Sequence, residues 1–264
     1  MALKSPNNLK LKALASIATF IIVSPLVALL TRVPWSTLFS RLADPDSISA
    51  IRLSLWSSFL AAVISLIFGV PLGWILARSK NKFSSILRPI VLSPIVLPPT
   101  VAGLALLALL GRNGLLGQVI YNATGWAMPF TTVAVVFAGV FVGMPFLVLI
   151  SESTFRQLPT DVEDAAVIDR VSEFKLFSLI ALPQARSGIA TGFILAWARA
   201  IGEFGATLMF AGSMPGITQT WTMQVYHAMD VDLQTAYALS VVMLLLAVAV
   251  MFALRKQIRE AFKS

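Results

Sequence analysis

The chain has 264 residues, 58% of them hydrophobic and only 12% charged, with a mean hydropathy of +0.86. Soluble domains carry about 25% charged residues, so this chain has too few charges to coat a water-facing surface, and intrinsic disorder is excluded for the same reason. The absence of cysteine rules out disulfides and thiolate metal sites, a single histidine, His227, leaves little material for an imidazole centre, and what remains is a polytopic membrane protein.

A bilayer core takes about 20 consecutive apolar residues in helical form. Six runs qualify in chain order: Ala13–Leu30, Leu55–Ala77, Ile90–Leu110, Thr131–Ile150, Gly188–Ala211 and Ala236–Leu254. The first follows Lys4, Lys10 and Lys12 as a signal peptide would, but no small-residue cleavage site follows Leu30, and a retained span is expected. The expected fold is therefore all-α with six transmembrane helices. Its expected divisions are residues 1–50 (tail, first span and external loop), 51–254 (the transmembrane domain) and 255–264 (a C-terminal tail).

The net charge of +8 admits two readings, an acidic partner such as nucleic acid or basic cytoplasmic loops. The census favours the second. One side of the six spans collects 15 of the 20 Lys and Arg residues, in the N-terminal tail, the second and fourth connections and the C-terminal tail. The other side has four, Arg32, Arg41, Arg52 and Arg112, and Arg199 falls inside the fifth span. Both termini are thus expected in the cytoplasm, with no nucleic-acid partner.

The third span opens in a proline-rich run from Arg88 to Thr100, containing Pro89, Pro94, Pro98 and Pro99. Interior prolines remove backbone donors and bend helices, so this span reads either as a kinked packing helix or as a bent helix beside a cavity. Pro71 and Pro145 repeat the theme more weakly.

The fifth span carries Arg199 and Glu203, one helical turn apart. Charges at mid-span are costly and face a bundle interior or an aqueous path. At about 100° per residue, Gly188, Gly192, Ala196, Arg199, Gly202, Glu203, Ala206 and Thr207 share one face. Phe193, Ile194, Trp197, Ile201, Phe204 and Leu208 lie opposite, suited to lipid or the bundle periphery. Two readings of the pair stand: a structural ion pair, or an arginine presented to an anion with Glu203 holding its orientation. Thr100, Thr207, Thr218 and Thr220 are candidate hydroxyl donors along such a path, and His227 reads as a loop residue.

The fourth connection, Glu152 to Ser187, is the longest polar stretch. Thr160-Asp161-Val162-Glu163 fits a capping box, and a second short helix is expected to start at Ser172 before Leu182-Pro183 re-enters the membrane. A short capped helix suits a partner's groove or the membrane surface. The sequence has no nucleotide-binding G-x-x-x-x-G-K-[ST] loop, no Ser-His-Asp set and no H-E-x-x-H. No catalytic residue, metal or cofactor is expected. A pore subunit driven by a separate ATPase, a secondary anion transporter and a membrane enzyme remain as alternatives, in that order.

At this connection the sequence resembles the permease subunits of ATP-binding-cassette importers. Their cytoplasmic E-A-A run appears as Glu163-Asp164-Ala165-Ala166, with Leu182-Pro183 after it; Asp164 stands where glutamate is usual and Arg170 where a glycine is expected. The stretches Leu97–Gly103, Leu110–Gly114 and Arg199–Gly212, and then Pro215-Gly216 and Thr218-Gln219-Thr220, resemble the molybdate and tungstate branch, with sulfate permeases the nearest rival. The resemblance covers about Ile51 to Leu254. It implies a type I permease in the cell membrane that acts as a homodimer and contacts two ATP-binding subunits through Glu163, Asp164, Ala165, Ala166 and Arg170. An extracytoplasmic binding protein would deliver the oxyanion, and the path would be lined near Arg199, Glu203, Thr207 and Thr100. The implied glycine supports a left-handed turn between two coupling helices, a conformation that costs a non-glycine residue about 1–2 kcal/mol.

Overall fold

The computed structural model describes residues 8–79, 81–159 and 170–261, with side chains described as far as 255. Every regular element among them is helical. In chain order these are α1 (Leu9–Arg32), α2 (Leu38–Leu42), α3 (Pro45–Arg78), α4 (Lys82–Leu92), α5 (Pro99–Leu110), α6 (Gly117–Thr124), α7 (Thr132–Arg156), α8 (Glu173–Ile201), α9 (Gly205–Ala211), α10 (Trp221–Val231) and α11 (Leu233–Ala261). By length and composition α1, α3, α7, α8 and α11 can each cross a membrane, and α4 with α5 makes a sixth span if that bent pair is counted as one.

The core is α3, α7 and α8, and small residues decide how closely they pack. The buried side of α3 runs Ser47, Ala50, Ser54, Ser57/Ser58, Ala61, Ser65, Gly69, Gly73 and Leu76, a stripe at helical spacing. Lipid tails are as apolar as leucine, so helices in a bilayer associate through close backbone contact rather than through the hydrophobic effect. Gly73 of α3 lies against α7 so tightly that a Cβ there would sit 2.8 Å from the Ser151 Cβ and 3.1 Å from the Glu152 amide nitrogen. Gly139 and Gly143 of α7 return the favour, facing Ala61 of α3 and the Ala196 backbone of α8. From α8, Gly188 meets Thr154 and Gly192 meets Leu147 and Ile150. The expected small-residue face of the fifth span is thus its packing face. The opposite face is less free than expected: Ile201 is buried, Phe193 packs edge-on against Phe59 of α3, and Phe204 packs against Tyr226 of α10.

Helix α1 is apolar all round and buries none of its residues; its packing neighbour in this chain is α11. Such a helix is suited to a hydrocarbon surrounding.

Four sequence expectations are corrected. The third span is not one helix: α4, a 3₁₀ turn at Ser93–Ile95, and α5 meet at a 116° bend, where Pro94, Pro98 and Pro99 remove three backbone donors within six residues. The bend leaves an apolar groove of about 410 Å³ between α4, α5 and α7, so the reading of a bent helix beside a cavity holds. The helix expected to stop before Leu182-Pro183 instead runs unbroken from Glu173 to Ile201, as Leu176–Ala181 adopts a π turn. The wider register of that turn accommodates the donor missing at Pro183. The fifth span is broken after Ile201, as described below, and His227 lies on α10 rather than in a loop. The stretch 160–169, with its capping box, lies outside the described residues.

Because Gly73 has no room for a side chain, Gly73→Val is expected to destabilise the chain by about 1–3 kcal/mol through overpacking. Thermal unfolding in detergent, compared with the wild-type chain, measures the difference.

Candidate functional site

The break in the fifth span is built around one carboxylate. Helix α8 ends at Ile201, and Gly202, Glu203 and Phe204 leave the helix before α9 restarts at Gly205. The Glu203 side chain turns both ways: Oε1 accepts the Ala206 amide at 2.8 Å, capping the first turn of α9, and Oε2 receives Arg199 Nη1 at 2.5 Å. A third bond fixes the break from outside, as Thr222 Oγ1 of α10 donates to the Glu203 carbonyl at 2.8 Å. Glu203 is 2% exposed in its side chain and Arg199 31%, so the carboxylate is enclosed while the guanidinium reaches the edge of the chain. A buried carboxylate is tolerated only when paired and hydrogen-bonded, and both conditions are met. The ion pair read from the sequence is therefore present, though it joins a helix end to a break and does not lie along an unbroken helix.

The second broken span meets this one. A Cβ on Gly205 would sit 2.7 Å from the Pro99 Cβ and 3.6 Å from the Thr100 amide nitrogen, and one on Gly103 would lie 2.5 Å from the Met209 Cβ. Helices α5 and α9 thus start beside each other and run in contact. No side chain caps α5, whose first residue is Pro99, so its amino end has amide donors without a side-chain acceptor. Of the four candidate hydroxyls, Thr100 is exposed, whereas Thr207, Thr218 and Thr220 are buried within the chain. Thr218 Oγ1 is already engaged by the Met214 amide and Thr220 by Thr222.

The polar connection lies at the end of the bundle where α3 and α7 finish. Glu163, Asp164, Ala165 and Ala166 lie outside the described residues. Arg170 has φ +55°, so the left-handed conformation expected of a glycine at this position is adopted by an arginine. Next to this segment, a buried Glu152 gathers two arginines: Arg88 Nε reaches Oε1 at 2.7 Å and Arg156 Nη2 at 2.9 Å. Both guanidiniums also donate to the Leu76 carbonyl, in the last turn of α3, at 3.0 and 3.4 Å. Arg88 and Arg156 count toward charge sidedness in the sequence, and their convergence escaped that reading; the Glu152-x-x-x-Arg156 spacing was the available signal.

A helical bundle with five or six candidate spans, two of them interrupted and in contact at their breaks, is the frame of a polytopic membrane protein. Residues 69–263 match the family described as binding-protein-dependent transport system inner membrane component, and the chain belongs to that family. It is similar to the molybdenum transport system permease protein ModB of Mycobacterium tuberculosis, with 38% identity over 245 residues, covering 93% of this chain and 92% of that one. It is 30% identical over 214 residues to a probable sulfate transport system permease protein, cysT, of Chlorella vulgaris, covering 81% of this chain and 80% of that one. Among solved structures, a chain of a bacterial alginate ABC transporter in complex with an alginate-bound periplasmic protein superposes with a TM-score of 0.70 at 14% identity, covering 94% of each chain, which shows a shared fold. The chain is a multi-pass membrane protein and a transport component.

Removing Arg199 alone leaves the enclosed Glu203 carboxylate without its counter-charge. Arg199→Ala is expected to cost about 3–5 kcal/mol, and Arg199→Ala/Glu203→Gln to recover most of it, since the glutamine keeps an acceptor for the Ala206 amide. Thermal unfolding of both variants checks the sign and size of the recovery.

Proposed function

We propose that this chain is the permease subunit of an ATP-binding-cassette importer that moves molybdate, or tungstate as its close chemical relative, across the cell membrane. The observation that carries the reading is the 38% identity to a molybdenum permease along 93% of the chain. The geometry of the broken spans supports it. Two copies of the chain enclose one path, with both termini in the cytoplasm. Two ATPase subunits dock on the polar connection around Glu163, Asp164, Ala165, Ala166 and Arg170, and an extracytoplasmic binding protein delivers the anion at the opposite end. The ATPase supplies the hydrolysis; this chain has no nucleotide loop of its own.

In this reading the junction of the two broken spans faces the path. A tetrahedral dianion crossing a membrane needs donors that compensate its charge but do not trap it. Arg199 alone would hold it tightly. Paired with Glu203 it presents a reduced positive potential, fixed in direction by a carboxylate that is itself fixed by the Ala206 amide. The amino end of α5 adds the positive end of a helix dipole and the exposed Thr100 hydroxyl, an arrangement that favours anions without a full charge. Thr207, buried on α9, supports the junction from behind. The two arginines around Glu152, at the end of α7 that leads into the polar connection, tie α3, α4 and α7 into one unit that moves with the ATPase.

The 30% identity to a probable sulfate permease supports the rival reading, an importer of sulfate. Proteoliposomes containing the permease, its ATPase and the binding protein decide between them. ATP-dependent uptake of molybdate that persists in a large excess of sulfate is expected; uptake abolished by sulfate would favour the rival, and uptake driven by an ion gradient without ATP would contradict both.

A further inference from the structure

Arg32, Arg41, Arg52 and Arg112 lie toward the end of the bundle where α3 and α7 begin, opposite the polar connection. Two of them are committed within the chain. Arg41 pairs with Asp232 and donates to Thr235 Oγ1 at 2.8 Å. Arg112 lies 4.2 Å from the Tyr121 ring centroid and donates to its hydroxyl at 2.7 Å. Arg32 ends α1, none of whose residues is buried. Arg52 is placed differently. It has no hydrogen bond or ion pair among the described residues, and it lines a recess of about 270 Å³ with Ser49, Leu53, Trp56 and Gly216.

The recess is joined to the junction of the broken spans. Gly216 belongs to the loop that leads from α9 to α10 and has φ +74°; an added Cβ there would meet nothing nearer than Ser49 Oγ at 3.9 Å. The loop is held from two sides. Thr132 of α7 donates to the Ile217 carbonyl at 3.0 Å, and the Trp221 amide donates to Ser54 Oγ of α3 at 2.7 Å. One residue further on, Thr222 holds the Glu203 carbonyl. The relative depth of the two arginines follows from α3. A Cβ on Gly139 would lie 2.9 Å from the Ala61 Cβ and 3.4 Å from the Ala200 Cβ, so Ala200, next to Arg199, is level with Ala61. Arg52 precedes Ala61 by nine residues, about 13 Å along a helix axis. The unpaired arginine thus stands outside the paired one, toward the end where α3 begins.

A guanidinium has five N–H donors and no acceptor, so an unpaired one calls for an anion, and its planar fork suits oxyanions. The lining of this recess holds no carboxylate; Asp44 and Asp46, earlier in the chain, line a separate recess with Arg41. The volume is that of about nine water molecules, room for a small oxyanion with part of its hydration. We propose that Arg52, with Ser49 and the Gly216 backbone, receives a tetrahedral oxyanion ahead of the Arg199–Glu203 pair, as an outer station of the transport path. The inference rests on the importer reading above. It divides the work between two arginines: the unpaired one raises the local concentration of the anion, and the paired one passes it on without trapping it. The phosphate of a lipid headgroup has the same chemistry, and the test separates the two sources.

The test places one thiol beside Arg52 with Ser49→Cys, in a chain that has no cysteine of its own. The permease is assembled with a cysteine-free ATPase and stripped of phospholipid in maltoside. An anionic methanethiosulfonate is expected to react roughly tenfold faster than a cationic one of similar size, and molybdate to slow it. Ser49→Cys/Arg52→Gln should lose both effects, and Ser49→Cys/Arg52→Lys should keep them in part. Equal rates with both reagents, a preference that survives Arg52→Gln, or a rate that molybdate leaves unchanged would overturn the site. Protection that appears only when phospholipid is restored, and that molybdate does not alter, would assign Arg52 to a headgroup and overturn the transport station. ATP-dependent uptake in proteoliposomes with the binding protein completes the test. Arg52→Gln should lower molybdate uptake several-fold, chiefly at low concentrations of loaded binding protein, and an unchanged rate would overturn the station. A wild-type complex with no ATP-dependent uptake of any oxyanion would instead overturn the importer reading, and the station with it.

Discussion

The Glu203 carboxylate is the constraint on which the interior depends. A span cannot break in hydrocarbon unless the freed backbone groups find partners, and here one side chain supplies an acceptor for the restarting helix and a counter-charge for Arg199 at once. The Thr222 hydroxyl then holds the Glu203 carbonyl from α10. With the break secured, α9 can leave the line of α8 and lie against α5, and Gly205 and Gly103 let the two backbones approach closely. The junction is therefore rigid at its centre and has its guanidinium at the edge.

The surrounding bundle supplies the rigidity that such a junction needs. Small residues on α3, α7 and α8 set a close three-helix core, and an aromatic group of Trp74, Phe155 and Phe177, with ring centroids 5.1 to 6.1 Å apart, closes the end near the polar connection. Glu152 with Arg88 and Arg156 fastens the same end by charge. Movement applied through that connection would act on α3, α4 and α7 together, because the arginines of α4 and α7 that pair with Glu152 both also donate to the Leu76 carbonyl of α3.

Much of this was legible in the sequence. Hydropathy located the apolar runs, the Arg199–Glu203 spacing signalled the ion pair, and the small face of the fifth span was read correctly from Gly188 to Ala196. The break at Gly202–Phe204 was not, since Arg199-Ala200-Ile201-Gly202-Glu203 has the period of a continuous helix. What stops the helix is tertiary, a carboxylate turning to the Ala206 amide and Gly205 meeting Pro99 from another span. The Leu182-Pro183 boundary failed in the opposite sense, because a π turn absorbs the proline and the helix continues. Arg170 shows a middle case: the resemblance signalled a left-handed turn, and the structure retains it at φ +55° despite the arginine. The ion pair of Arg41 with Asp232 was invisible, since its partners are separated by 191 residues.

The claim at the centre of this account is that the junction of the broken spans presents a positive potential to the transport path. The chain has no cysteine, so a single Thr100→Cys substitution gives one reactive thiol at the amino end of α5. The most direct measurement compares its modification by an anionic and a cationic methanethiosulfonate of similar size in the assembled transporter, with and without Arg199→Ala/Glu203→Gln. The account predicts faster reaction with the anionic reagent, slowed by molybdate, and a loss of that preference in the double variant. A thiol that reacts equally with both reagents and ignores molybdate would contradict it.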